Sequence, residues 1–96
     1  MERYIGQKAD QALEAMCGGA SLENRVKTAK MYFLSVSEDH FLKSAPEDIQ
    51  DYITKLMKAD VDSNPGDAAA LVKGAILAIL LELGRQDGAS EERRRQ

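Results

Sequence analysis

Length, composition and charge exclude several classes of protein at once. The 96 residues are enough for one domain, and the one cysteine, Cys17, excludes an intramolecular disulfide. A net charge of −3 argues against a strongly basic nucleic-acid-binding surface. Three tyrosines, two phenylalanines and no tryptophan, in a chain rich in alanine and leucine, favour an α-helical protein over a β-sheet protein.

The first two predicted helices cover residues 3–17 and 21–36. Gly18 and Gly19 supply the left-handed stop that commonly ends a helix, and Ser21 is a good N-cap for the next one. Apolar residues recur at helical spacing in both segments, so each helix should bury one stripe. The stripes are Ile5, Ala9, Ala12, Leu13 and Met16 in the first helix, and Leu22, Val26, Ala29, Phe33 and Val36 in the second.

The third predicted helix covers residues 45–60. Before it, Phe41 and Leu42 are too apolar for a free loop, so we expect them to fold back onto the end of the bundle. Ser44 and Glu47 have the spacing of a capping box, which predicts that Ser44 caps this helix. The buried stripe of the third helix is predicted to be Ile49, Tyr52, Ile53, Leu56 and Met57.

The fourth predicted helix runs from about residue 65 to residue 86. Asn64 suits the N-cap, and Pro65 suits the first helical position, where its missing N–H costs nothing. Either Gly84 or Gly88 can end the helix. The predicted domain organisation is one helical domain over residues 1–88 and a polar, disordered tail over residues 89–96.

The fourth helix is apolar on two sides, whereas each of the others has one apolar stripe. One side carries Val72, Ile76, Ile79 and Leu83 and should face the core. The other side combines leucines with small residues at every fourth position, a pattern that lets another backbone approach closely. Such a helix is either central in its domain or shared with another chain. The candidate interface on this side is Ala70, Gly74, Leu77, Ala78 and Leu81.

Neither a membrane span nor an export signal is expected. The uninterrupted apolar run over residues 74–81 is far shorter than the roughly 20 residues that cross a bilayer. The first residues lack the apolar core of a signal peptide, and the low cysteine content fits a reducing compartment. The predicted location is therefore the cytoplasm.

Two charged surfaces are further candidates for binding. Residues 38–67 contain eight acidic residues and three lysines, which predicts an acidic face on the third helix. Arginines cluster near the end of the chain, and the second helix adds Arg25, Lys27 and Lys30. The candidate residues are Glu47, Asp48 and Asp51 for the acidic face, and Arg93, Arg94 and Arg95 for the basic tail.

No catalytic or metal-binding signature is present in the sequence. Asp60, Asp62 and Asn64 match the first, third and fifth ligands of an EF-hand loop. The twelfth ligand of such a loop is a bidentate glutamate, and here that position is Leu71. The single histidine, His40, cannot supply the three or four ligands of a zinc site. We therefore expect no enzyme activity, no metal and no cofactor.

These elements predict an all-α fold, a compact four-helix bundle or array with the fourth helix at its centre. The first functional hypothesis is a small cytosolic protein-interaction module: a homodimer, a complex subunit or a stoichiometric inhibitor. The alternative is a nucleic-acid-associated accessory protein that uses the basic tail and the second helix. A third hypothesis is a bundle that encloses a small apolar ligand against Met31, Phe33 and Met57.

Overall fold

Four α-helices and one short 3-10 helix form the chain. The computed structural model describes residues 3–38 and 41–95, with the backbone alone described at residues 38, 41, 44 and 86–95. The predicted all-α class and the four-helix architecture are confirmed, because the four helices pack against one another around one core. The helices are α1 (Arg3–Met16), α2 (Leu22–Glu38), α3 (Glu47–Lys58) and α4 (Pro65–Arg95), with the 3-10 helix Phe41–Ser44 between α2 and α3.

Apolar residues at helical spacing in all four helices meet in this core. Ile5 of α1, Phe33 of α2, Ile53 of α3 and Ile79 of α4 are completely buried. No polar or charged residue is buried among them in the described part of the chain, so burial of apolar area is the main stabilising term. The predicted core residues that are buried include Ala9, Ala12, Val26, Ala29, Val36, Ile49, Leu56, Val72 and Ile76.

α4 is not the one helix that contacts all the others. Both α2 and α4 pack against all three other helices, whereas α1 and α3 make little contact with each other. The prediction that α4 alone lies at the centre is therefore not confirmed.

Basic side chains join the helices at their ends. The Arg25 guanidinium donates from Nη1 to the carbonyl of Met16, the last residue of α1, over 2.9 Å. Lys30 donates from Nζ to the Ala59 carbonyl at the end of α3, also over 2.9 Å. Helix C-termini have unpaired carbonyls and a partial negative charge. A cation from a neighbouring helix therefore stabilises the helix end and helps to hold the two helices together.

The start of α2 agrees with the sequence, and the start of α3 does not. Ser21 accepts at Oγ from the Asn24 N–H over 3.3 Å, as an N-cap does. The predicted capping box of Ser44 and Glu47 is wrong, because α3 begins at Glu47 with Pro46 as a cap that offers no side-chain hydrogen bond. The 3-10 helix takes Ser44 into the preceding element, which removes it from the cap position. Leu42 packs against the core, as predicted for this connection.

The end of α4 lies beyond its predicted position. The helical backbone continues to Arg95 rather than stopping near residue 86, and Gly84 lies inside it. A glycine in a helix costs about 1 kcal/mol relative to alanine but does not itself stop the helix. The residues that follow include good helix formers and no proline, so nothing local enforces an end. The disorder of residues 89–96 stays a prediction for solution experiments.

Candidate functional site

The outward side of α4 exposes large apolar side chains near its middle. Leu77 is 60% exposed and Leu81 is 56% exposed, so neither is covered by the chain's own helices. Of the other candidate interface residues, Ala70 is exposed, while Gly74 and Ala78 are half-buried. The predicted face therefore divides into an open part around the leucines and a part that the protein covers itself.

Tyr52 of α3 covers that second part. Its ring lies against Gly74 so closely that a Cβ atom added there would be 2.5 Å from the ring atom Cε1. The close approach that the small residue permits is thus made by a side chain of the same protein. Tyr52 itself is 38% exposed, so the contact with Gly74 leaves part of its side chain in water.

A groove of about 580 Å³ lies between α1, α2 and α4, next to Leu77. Leu13 from the end of α1 and Leu22 from the start of α2 form one wall. These leucines were predicted to lie in the core, but Leu13 is 41% exposed and Leu22 is 38% exposed. Helical spacing gives the direction of a side chain, not whether a neighbour extends far enough to cover it. The apolar lining consists of Leu13, Met16, Leu22, Ile76, Leu77 and Leu80.

The charged residues that line this groove are both cations, Arg25 and Lys73. Arg25 is fixed in place by its hydrogen bond to the Met16 carbonyl, and its Nε atom is buried without a hydrogen-bond partner. Lys73 is exposed on α4. A protein with a net charge of −3 thus has an apolar groove edged by positive charge.

Cys17 lines the same groove. Its thiol is exposed, directly after the end of α1. The reason is the turn that follows α1, which leaves residues 17–21 on the surface. As the one cysteine of the chain, it is a convenient reporter for the groove.

A second, smaller groove lies on the other side of α2. It has a volume of about 370 Å³ and lies between α2 and the turn before α4. Met31, which is 68% exposed, and Leu34 contribute its apolar wall. The three residues proposed as walls of an internal ligand cavity do not converge, because Phe33 is completely buried while Met31 faces outward.

The candidate acidic face lies on the solvent side of α3. Glu47, Asp48 and Asp51 are all exposed. Glu47 and Asp48 belong to the first turn of the helix, where negative charge is favourable, and Asp48 accepts at Oδ1 from the Ile49 N–H over 2.9 Å. Favourable interaction with the helix N-terminus explains these two acids without a binding partner.

The acidic residues in the turn before α4 form hydrogen bonds and ion pairs within the protein. Asp60 accepts from the Ser63 hydroxyl over 2.8 Å and from the N–H groups of Asp62 and Ser63, which lowers the pKa of the Asp60 carboxyl. Lys27 contacts Asp62 at 2.7 Å and Glu23 at 3.0 Å, so the pKa of Lys27 is raised and that of Asp62 is lowered. Over the described residues no group of three potential ligands is placed to hold a metal ion.

The basic residues of α2 make hydrogen bonds or ion pairs within the protein. Arg25, Lys27 and Lys30 of α2 each have an intramolecular acceptor. The cluster Arg93, Arg94 and Arg95 lies on the last turn of α4, and its side chains are outside the described set. His40 also lies outside the described residues.

Comparison with known proteins adds no assignment to this geometry. No family model, no characterised protein and no solved structure aligns significantly with the chain. In the part of the chain that the structure describes, no helix combines the length and the apolarity that crossing a membrane requires.

Proposed function

We propose that this protein works by binding another protein chain through the apolar face centred on Leu77, rather than by catalysis. The observation that carries the proposal is the exposure of Leu77 and Leu81 beside an apolar groove. Single exposed leucines are common on protein surfaces, but a contiguous group of them is typical of an interaction site. We define the Leu77 face as Leu13, Leu22, Leu77, Leu80 and Leu81.

The proposal covers three kinds of complex, each of which would use this face. A second copy, a larger assembly and a target that the protein inhibits all require burial of the same leucines. The exposed thiol of Cys17 is compatible with a reducing compartment, so we place the protein in the cytoplasm.

A comparison of two surface variants tests the proposal. Leu77→Glu places a charge in the Leu77 face, and Met31→Glu places the same charge on an equally exposed residue outside it. We expect both variants to unfold within a few degrees of the wild type, because neither side chain is in the core. We expect only Leu77→Glu to lose the bound chain, measured as complex mass after purification from the native host.

Two results would contradict the proposal. One is a wild-type protein that is strictly monomeric and carries no bound protein at its native concentration. The other is a complex that survives in Leu77→Glu and disappears in Met31→Glu, which would move the binding surface to the second groove.

Nucleic-acid binding remains the alternative hypothesis, carried by the arginine cluster alone. In α2 the charge of Lys27 is paired with Glu23 and Asp62, which leaves this helix with less charge to offer to phosphates. Binding to DNA or RNA that weakens steeply with salt and is lost when residues 89–96 are deleted would support it.

A further inference from the structure

We propose that the groove between α1, α2 and α4 receives an amphipathic helix of a partner protein whose apolar stripe is flanked by acidic side chains. This inference rests on the proposed function and specifies the chemistry of the partner. Two observations carry it: the apolar lining of the groove, and the sign of the charges at its edge.

The shape and lining of the groove suit a helix. Three helices contribute to it, and its lining is leucine, isoleucine and methionine apart from Cys17 and the two cations. An amphipathic helix binds such a groove by inserting apolar residues spaced three, four and seven positions apart. Leu77 and Leu80, three positions apart on α4, present apolar contacts along the groove's length.

The positive charges at the edge of the groove favour a partner helix with acidic residues on either side of its apolar stripe. Arg25 and Lys73 line the groove, and among the described side chains no carboxylate does. The hydrogen bond from Arg25 to the Met16 carbonyl prevents the guanidinium from turning away, so its charge is already positioned before binding. A carboxylate that reaches Arg25 gains a charge-assisted hydrogen bond at a site where water is displaced by the leucines.

A second copy of this protein fits the groove less well. A two-fold dimer that buried this groove would bring Arg25 and Lys73 of both copies, four cations in all, into one apolar interface. The α4 stripe of a second copy would bring its Lys73 towards these cations, whereas its Arg85 is paired with Glu82. Charge complementarity therefore favours a different chain over a homodimer.

The test uses two synthetic helical peptides of about 18 residues with the same leucine stripe. One peptide carries glutamates on both flanks of the stripe, and the other carries lysines at the same positions. Affinities for the full-length protein are measured by fluorescence anisotropy at low salt. Protection of the Cys17 thiol from alkylation reports whether the bound peptide occupies the groove.

We expect the glutamate peptide to bind about tenfold more tightly than the lysine peptide, and to slow alkylation of Cys17. Leu80→Glu should weaken binding of the glutamate peptide at least about tenfold. Lys73→Glu should weaken binding of the glutamate peptide about two- to fivefold, because an exposed ion pair contributes modestly to affinity. It should also reduce the difference in affinity between the glutamate and lysine peptides. Two control variants outside the groove, Met31→Glu and Lys43→Glu, should leave the affinity unchanged.

Three results would overturn the inference and leave the proposed function intact. They are equal or tighter binding of the lysine peptide, binding that does not protect Cys17, and self-association that Leu80→Glu abolishes. Failure of both peptides to bind would also overturn it. The proposed function fails separately, when the wild-type protein neither self-associates nor carries a bound protein in its native host.

Discussion

The ring of Tyr52 lies directly on Gly74, and this contact fixes the distance between α3 and α4. A Cβ atom at position 74 would be 2.5 Å from Cε1 of the ring and 2.9 Å from Cζ. Real side chains do not approach so closely, so any larger residue must displace the ring. The glycine in the most apolar helix of the protein is therefore explained by packing within the chain.

This contact predicts a strong coupling between the two positions. Gly74→Ala alone should gain little stability, because the higher helix propensity of alanine is offset by displacement of the ring. In a Tyr52→Ala background the same substitution should stabilise the protein by about 1 kcal/mol, the usual difference between alanine and glycine in a helix. Urea denaturation of the four proteins gives the coupling energy as a double-mutant cycle.

Gly84 supplies the matched control for this cycle. It lies in the same helix, and among the described residues no atom beyond its chain neighbours and the adjacent helix backbone lies within 4 Å of the position that its Cβ would take. Gly84→Ala should therefore gain a similar amount, up to about 1 kcal/mol, with or without Tyr52. An equal gain from Gly74→Ala in both backgrounds would show that the ring does not rest on Gly74.

Truncation of two adjacent residues on α4 should lower the stability of the protein by very different amounts. Ile76 is 5% exposed, so Ile76→Ala should cost about 2–5 kcal/mol through lost burial and the cavity that remains. Leu77→Ala should cost less than about 1 kcal/mol, because most of that side chain is in water. Denaturation midpoints measure both values, and a large cost at Leu77 would mean that this leucine is internal.

Stability should depend on pH through the turn before α4. The pKa of Asp60 is lowered chiefly by the Ser63 hydroxyl and that of Asp62 chiefly by Lys27, so both carboxylates favour the folded state above about pH 4. This contribution disappears as the pH falls through their folded values. The pKa of Lys27 is raised, so its contribution is present below about pH 10 and is lost only at higher pH.

Asp62→Asn measures how much the ion pair between Asp62 and Lys27 contributes to stability. The variant should be slightly less stable than the wild type at pH 7, and the difference should narrow as the pH is lowered to 3, because the wild-type carboxyl becomes neutral too. The residues are exposed, so about 0.5 M salt should reduce the effect. Thermal midpoints that differ by the same amount at both pH values would contradict this assignment.

Ser21, the N-cap of α2, should contribute to stability although it is exposed. Ser21→Ala removes the acceptor for the Asn24 N–H and should cost about 0.5–2 kcal/mol. Ser21→Asp should retain most of the stability, because its carboxylate accepts the same hydrogen bond. Chemical denaturation of the two variants decides between a cap and a merely solvent-exposed serine, for which both changes would be neutral.

The sequence predicts the core well, because burial in a helix follows its periodicity. Ile5, Phe33, Ile53 and Ile79 all lie where spacing of three and four residues places them. It predicts the ends of helices less well. At Ser44 a 3-10 turn competes with the expected cap, and at Gly84 a weak stop is overridden by favourable residues beyond it.

The groove could be predicted only in part. The second apolar side of α4 gives a signal for Leu77 and Leu81, and both are exposed. Leu13 and Leu22 show only ordinary core spacing, yet both are exposed. Their exposure depends on how the helices pack against one another, which local sequence does not specify.

Native mass spectrometry of the wild type and of Leu77→Glu, purified side by side from the native host, tests the Leu77 face most directly. One spectrum reports both the mass of any complex and, from its charge states, whether the protein is compact. We predict a wild-type protein that carries a second chain in a fixed ratio, and a compact Leu77→Glu monomer that carries none. A compact Leu77→Glu variant that retains the wild-type complex mass would contradict the claim that this face is the binding surface.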